Sequence, residues 1–332
     1  MFLNKRIQLL FLSLSIATVL SAQDVHFANV QRMGQWYNAS LKQHRGHDVV
    51  LNFRDISYQN GVAFRTGAGM MNFTLLRKKD REMEGHRSFG NITAGAIFDQ
   101  SNGDFYKNNI GFLGISYAVK INERGMYMSA GFQGMVTNMK FGGNGTFQDQ
   151  FDQYGPIAGS ASADPLRAGK TFAFASINAG WSIFQQTTKL DWYAGLSMRH
   201  VNRPYTEESR SDLYRMPPVY GVQGGVKLKS EFNTVDLYAM MNSKANAEEW
   251  ISGVRYNFIL GDNSLEGSDN RGRQDVILGV GCMYRINDAI IPDVQLSVGK
   301  TNLSFYYDSN ISGIRSAGFS RRGFELLLTQ KF

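Results

Sequence analysis

Apolar and polar residues alternate along most of this chain with a period of two. Over 126–136, Met126, Met128, Ala130, Phe132 and Val136 fall on one face, and Tyr127, Ser129, Gly131 and Gln133 on the other. From Asp191 to His200, the residues Trp192, Ala194, Leu196 and Met198 alternate with Asp191, Tyr193, Gly195, Ser197 and Arg199. From Thr301 to Asp308, Leu303, Phe305 and Tyr307 oppose Asn302, Ser304, Tyr306 and Asp308. Such spacing sends successive side chains to opposite faces of an extended strand. The same segments do not read as helices: their apolar residues do not recur at three and four. Glycines at 131, 134, 279 and 281 would each weaken a helix by about 1 kcal/mol.

The pattern predicts about fourteen strands, over 47–55, 63–76, 89–98, 108–119, 125–137, 170–181, 189–200, 217–228, 233–241, 248–260, 275–285, 291–298, 301–308 and 322–332. A tilted strand crosses a membrane with roughly 9–11 residues, and a single-chain bacterial barrel uses an even number of strands. The expected fold is therefore all-β, a transmembrane antiparallel up-and-down β-barrel of about 14 strands. A mean hydropathy of −0.28 does not oppose this, because a barrel strand shows lipid only one face.

The connections support the same architecture. Counted from the first hairpin, the odd ones include 138–169, 201–216 and 309–321, long and rich in Gly, Ser, Asn and Asp. The even ones include the short 120–124, 229–232 and 299–300. Long outside loops alternating with short periplasmic turns characterise outer-membrane barrels. The long, charged even connections 77–88 and 261–274 break the alternation and are candidate periplasmic contact sites.

Lys5 and Arg6 precede a mostly apolar run from Ile7 to Val19, followed by Leu20-Ser21-Ala22. This reads as a secretory signal peptide, 1–22, that is removed on export. An N-terminal periplasmic segment, 23–46, is expected next, either plugging the lumen, capping the periplasmic mouth or loosely ordered; the barrel follows over 47–332. At the other end, Phe324, Leu326, Leu328, Gln330 and Phe332 share one face of the closing strand, and Glu325, Leu327, Thr329 and Lys331 the other.

Composition adds constraints. The chain has 35 Gly, 23 Phe, 15 Tyr and 4 Trp but only 6 Pro, which suits strands that pair without interruption. The single cysteine, Cys282, excludes an internal disulfide framework. The net charge of +7 comes from scattered residues. Acidic lipid headgroups or surface polysaccharide are more plausible counter-charges for it than nucleic acid. Trp181, Trp192, Trp250, Tyr117, Tyr220 and Tyr284 lie near predicted strand ends, where an interfacial aromatic girdle would sit.

Chemistry-bearing motifs are sparse. His44 and His47 are three apart, but no suitably spaced third metal ligand accompanies them. His200 with a serine on a neighbouring strand is the one hydrolase candidate, without a Gly-x-Ser-x-Gly elbow. Gly142-Gly143-Asn144-Gly145 lacks the Lys-Ser or Lys-Thr of a phosphate loop. Asp99-Gln100-Ser101-Asn102-Gly103-Asp104 lacks the later glutamate of a calcium loop. No catalytic residue, cofactor or metal site is expected. Arg54, Arg199, Arg255 and Arg285 are expected inside, lining a path or paired with Asp191, Asp275 and Asp308.

Several segments, in order, resemble the PorP/SprF family of outer-membrane proteins of the Bacteroidetes type IX secretion system. Gln23-Asp24-Val25-His26-Phe27 is similar to its Gln-Asp-Pro-His-Phe opening, with Val25 in place of Pro, and Tyr37-Asn38-Ala39 stands where the family has Asn-Pro-Ala. Asp99 to Gly103 resembles its Asp-x-x-x-Gly hairpin, ahead of Ser116-Tyr117-Ala118. Asp164-Pro165 resembles the Asp-Pro of its long loop. Tyr284-Arg285 and Phe305-Tyr306-Tyr307-Asp308 resemble its Tyr-Arg and Tyr-Ser-Tyr-Asp strands, and Phe332 its terminal aromatic. The resemblance implies a non-catalytic barrel in the cell outer membrane that helps secrete or anchor large adhesins, including those of gliding motility. It also implies partners: type IX secretion components, an OmpA-like peptidoglycan-binding lipoprotein, adhesin cargo and outer-membrane lipids. Asp99, Gly103, Asp164, Pro165, Tyr284, Arg285, Asp308 and Phe332 are its candidate structural or contact residues. A porin or small-molecule transporter is the alternative function.

Overall fold

A computed structural model describes residues 25–42, 46–58, 62–75, 88–122, 124–142, 151–152, 155–156, 171–205, 215–245, 247–260, 276–312 and 321–332. A short helix, α1 (Gly34–Tyr37), precedes strands β1 (Asp48–Tyr58), β2 (Ala63–Leu75), β3 (Phe89–Ser101), β4 (Tyr106–Lys120) and β5 (Met126–Phe141). A two-stranded hairpin follows, β6 (Phe151–Asp152) and β7 (Gly155–Pro156). Then come β8 (Thr171–Gln186), β9 (Leu190–Arg199), β10 (Val219–Lys229), β11 (Asn233–Lys244) and β12 (Ala247–Ile259). The chain ends with β13 (Val276–Arg285), β14 (Ala289–Val298), β15 (Thr301–Asn310) and β16 (Arg321–Lys331). Apart from the β6–β7 hairpin, all strands join one closed antiparallel barrel. Each pairs with its sequence neighbours, β5 pairs with β8, and β16 closes onto β1.

Every one of the fourteen predicted strands is a barrel strand. The β6–β7 hairpin lies in the long connection 138–169, where the alternation predicts no strand. β14 starts at Ala289, before the predicted 291, with Pro292 inside it. Pro292 points outward and has no partner in the β14–β15 register, which resumes at Asp293 and Tyr306. A proline lacks the N–H that a ladder needs.

The alternation maps onto lumen and exterior. On β15, Leu303, Phe305 and Tyr307 are exposed, while Asn302, Ser304, Tyr306 and Asp308 are buried. On β5, Met128, Phe132 and Val136 face out, and Ser129, Gln133 and Thr137 are buried. This inverts a water-soluble protein, where large apolar residues go inside. Lipid outside is the environment that makes it favourable. Tyr220, Trp250 and Tyr284 are exposed near the strand ends remote from the chain termini, and Tyr117 is exposed near the opposite ends. Trp192 is half-buried near the start of β9, and Trp181 is exposed further from its strand end.

The strands are strongly staggered. From Asp99 on β3, successive register partners run through Thr66, Arg54, Glu325, Tyr306, Asp293, Gly281, Arg255, Asp236, Lys227 and Asp191 to Gln186, the last residue of β8. The opposite route from Asp99, through Asn108 and Met139, reaches β8 at Phe172, near its start. Closing a sheet requires such a shear. Here it winds one row of inward polar residues from one mouth of the barrel to the other.

A test follows for the outward face. Val294 lies mid-strand on β14 beside outward-facing Val280 and Phe305. Val294→Arg is expected to destabilise the barrel by roughly 2–4 kcal/mol in equilibrium unfolding from lipid vesicles, whereas Val298→Arg, at the strand end, costs about 0–1 kcal/mol.

Candidate functional site

Of the N-terminal segment 23–46, expected to plug the lumen, cap the periplasmic mouth or be loosely ordered, residues 25–42 lie inside the barrel. Val25, Phe27, Val30, Met33, Trp36 and Tyr37 are buried in one apolar cluster with inward wall residues including Met70, Ile97, Phe112, Met240 and Leu327. The segment carries aromatic and aliphatic residues that strands alone cannot cover, and the lumen is where they are buried.

Polar contacts fix its position. The Glu325 carboxylate accepts the backbone N–H of Ala28 at 2.7 Å, that of Asn29 at 3.4 Å and the Asn52 amide at 2.6 Å. Arg54 lies beside Glu325 in the register and donates to the His26 carbonyl at 2.7 Å. The Asn29 amide donates to the Tyr306 hydroxyl. Trp36 Nε1 donates to the Val25 carbonyl at 3.0 Å, and the Phe27 N–H to the Tyr37 hydroxyl at 2.6 Å, folding the segment on itself. Arg199 sits over both rings, 5.7 Å from the centroid of Trp36 and 5.9 Å from that of Tyr37. Burial, with the Glu249 carboxylate, drives the Tyr37 phenol well above its usual range, so this hydroxyl stays protonated and able to donate.

Three wall glycines form a seat for residues 38–40. A Cβ on Gly131 would stand 2.6 Å from the Ala39 carbonyl oxygen, one on Gly180 within 1.9 Å of Asn38 Oδ1, and one on Gly195 2.7 Å from Asn38 Nδ2. Asn38 Nδ2 donates to the Leu196 carbonyl at 3.2 Å, and Ser40 Oγ meets Ser182 Oγ at 3.0 Å. Glycine lets one backbone approach another closely, and these positions do so on three adjacent strands. Below the seat, Lys42 pairs with Asp48 at the start of β1. Burial lowers the Lys42 pKa, and the Asp48 carboxylate opposes that shift.

Several other charged groups in the lumen are also paired. Arg255 donates to Asp293 at 2.7 Å, to Gln295 at 3.0 Å and to the Tyr306 hydroxyl at 3.1 Å. Gly281 lies between Arg255 and Asp293 in the register, and a Cβ there would stand 2.4 Å from an Asp293 oxygen. The glycine lets an ion pair reach across the intervening strand. At the mouth remote from the termini, Arg285 contacts Asp288 and Asp308, and Arg321 contacts Asp288 at 2.7 Å and Asp308 at 3.3 Å. Burial raises the Asp288 pKa, but the guanidiniums of Arg285 and Arg321 outweigh it and hold the carboxyl below its ordinary range.

Of the candidate residues, Arg285 and Asp308 therefore meet in one cluster. Tyr284 points outward to the lipid side. Asp99 accepts from Thr66 Oγ1 at 2.7 Å, and Gly103 has φ +72° in the turn after β3. Phe332 is exposed, and its N–H donates to the His47 carbonyl at 3.0 Å, beside the β1–β16 closure. Asp164, Pro165 and the expected signal peptide lie outside the described residues, as does Asp275. Asp191 pairs with Lys229 at 2.7 Å and not with an arginine. The composition-level reading missed Asp293, Asp288, Glu325 and the glycine seat. The signal for the seat was present: Gly131 and Gly195 fall on the inward face of alternating strands.

His200 does meet a serine on the neighbouring strand. Its Nδ1 is 2.8 Å from Ser176 Oγ, and both residues are buried. The adjoining cavity is about 20 Å³, too small for a substrate. Two larger cavities flank the plug. One, of about 360 Å³, lies at the mouth lined by His26, Arg199, Glu249, Arg285 and Arg321. The other, of about 260 Å³, lies toward the chain-terminus end.

A closed antiparallel barrel with a lipid-compatible exterior and a lumen filled by its own N-terminal segment defines an outer-membrane β-barrel protein. The family model of the type IX secretion system membrane protein PorP/SprF matches residues 83–329, and the chain belongs to that family. No curated protein matches it. Among solved structures it resembles the toluene transporter TbuX of Ralstonia pickettii, with a TM-score of 0.53 at 10% identity over 90% of this chain and 93% of that one. It is also similar to a FadL homologue of Pseudomonas aeruginosa, with a TM-score of 0.48 at 10% identity, covering 86% of this chain and 89% of that one. The first likeness concerns fold alone.

Two substitutions test this site. Gly180→Ala is expected to unseat residues 38–40, read as faster cleavage of the 25–42 segment by added protease while the barrel stays resistant to denaturation in detergent. Arg255→Met leaves Asp293 buried without its cation and is expected to cost about 3–5 kcal/mol in unfolding, largely recovered in the Arg255→Met/Asp293→Leu double variant.

Proposed function

We propose that this protein is a non-catalytic accessory barrel of the type IX secretion system. In this reading it is exported by the cleaved signal 1–22, holds a large secreted cargo such as an adhesin at the cell surface, and touches envelope partners beneath. The OmpA-like peptidoglycan-binding lipoprotein is the proposed periplasmic partner. Family membership carries the reading, and the fastened plug supports it. A lumen filled by the chain's own residues leaves the loops at the two ends as the surfaces for partners. The mouth opposite the chain termini, with the connections 138–169 and 201–216, would face outward, and 77–88 with 261–274 would face the periplasm. Asp164-Pro165 would belong to the outer contact surface, and the Arg285–Asp288–Asp308–Arg321 cluster would brace the strand ends beneath it. The Ser176–His200 pair reads as a packed hydrogen bond in the wall.

A small-molecule transporter is the second reading. It is favoured by a polar lumen wall and by cavities on both sides of the plug. Two measurements separate them. Replacing 143–170 by a short Gly-Ser linker is expected to release cargo from the cell surface without changing barrel abundance, as scored by surface immunolabelling and pull-down from intact envelopes. In planar bilayers the purified protein is expected to show no steady conductance. Retained cargo together with a steady open conductance would favour the transporter.

A further inference from the structure

The cavity of about 260 Å³ toward the chain-terminus end lies between the plug and the wall. Its charges do not balance. Each acid that lines it is already engaged. Asp48 pairs with Lys42 and accepts the Asn72 amide at 2.6 Å. Asp236 pairs with Lys227 at 3.2 Å and accepts the Asn257 amide at 3.2 Å. Asp191 is held at 2.7 Å by Lys229, which is not part of the lining. The lining cation Arg255 is likewise committed, to Asp293.

Two cations remain. Arg32 extends from the plug and Lys331 from the end of β16, and both line the cavity. Among the described residues neither side chain has an ion pair or a hydrogen bond. Arg32 lies part-buried in the lumen, where burial and the nearby Arg255 guanidinium lower its pKa and the more distant Asp236 and Asp48 carboxylates only partly offset them. A cation held in such a place without a direct ion pair is costly, and its retention calls for an explanation. Gln31, Gln186 and Thr329 add neutral hydrogen-bonding groups to the same walls.

We propose that this cavity is an oxyanion site, in which a carboxylate or phosphate group is held between the Arg32 guanidinium and the Lys331 ammonium. The planar fork of an arginine suits both groups bidentately, and a lysine adds a point charge. The volume is below the roughly 300–1,000 Å³ of pockets for drug-sized ligands, so the occupant is a small anion or the anionic end of a larger molecule. Because one cation belongs to the plug and the other to the wall, the ligand bridges the two. Bound anion therefore stabilises the plugged state by mass action. This inference does not rest on the secretion reading.

The test is isothermal titration calorimetry on the full-length protein in detergent, with two probes: inorganic phosphate, and N-acetyl-glycyl-glycine beside its carboxamide. The expected result is one equivalent bound by at least one probe, with the carboxamide silent. Lys331→Gln and Arg32→Gln should each weaken binding by about tenfold or more, and Lys300→Gln, in the β14–β15 turn outside the cavity, should not. Binding of phosphate alone assigns a phosphate-bearing ligand, binding of the peptide alone a carboxylate, and binding of both the shared oxyanion chemistry. Arg32→Gln could loosen the plug, so a Ser40→Cys/Ser182→Cys disulfide, at a site where the two hydroxyls are 3.0 Å apart, reports plug seating in each variant. Lys331→Gln leaves the plug sequence intact. No heat from either probe, or affinities unchanged in both variants with the plug seated, would overturn the proposal.

Discussion

A hydrocarbon exterior cannot hydrogen-bond, and this condition shapes the whole molecule. Backbone groups must be paired within the protein, so the sheet must close. β16 meets β1 along its full length, and no edge remains among the barrel strands. Once the sheet is closed, alternation leaves no freedom: residues that do not face lipid face the lumen. Polar side chains such as Asn52, Thr66, Gln133 and Asn178 are therefore gathered inside. They need partners there, because a buried polar group without one is costly.

The plug answers that need. Its backbone N–H groups meet Glu325, its carbonyl at His26 meets Arg54, and its apolar side chains cover the inward Met, Ile and Phe residues of the wall. It touches β5, β8 and β9 through the glycine seat and β1, β15 and β16 through Glu325, Arg54 and Tyr306. Elements far apart around the barrel are thus joined through one short segment. The shear gives the remaining charges their arrangement. Acids and bases that sit far apart in sequence, such as Arg255 with Asp293 or Arg54 with Glu325, fall into one winding row because each strand is displaced from the last.

Family membership carries the secretion reading proposed above, and the filled lumen supports it. In the proposed reading, the loops at the two ends meet protein partners, and the cavities beside the plug are left for small molecules. The cationic imbalance at the chain-terminus end is a separate matter. It concerns what else the lumen holds beside the plug.

Strand number, direction and facing were legible in the chain because a period of two is a local property. Each strand announces which of its residues meet lipid, and Phe132 or Leu303 could be assigned outward without a neighbour. Arg285 and Asp308 could be singled out, though not their joint contact with Asp288 and Arg321. Register was not legible. The alternation says that Gly131, Gly180 and Gly195 face one way or the other, but only the stagger between β5, β8 and β9 brings them under Asn38 and Ala39. For 23–46 the sequence left plug, cap and loose segment open, and could not choose the lumen for 25–42, since its aromatic residues show no strand period and partners such as Glu325 and Tyr306 lie hundreds of residues away. Sequence determined the inside-out barrel because lipid sorts residues one strand at a time. Tertiary structure decided the plug, the ion pairs and the unbalanced cavity, because each depends on how far neighbouring strands slide before they bond.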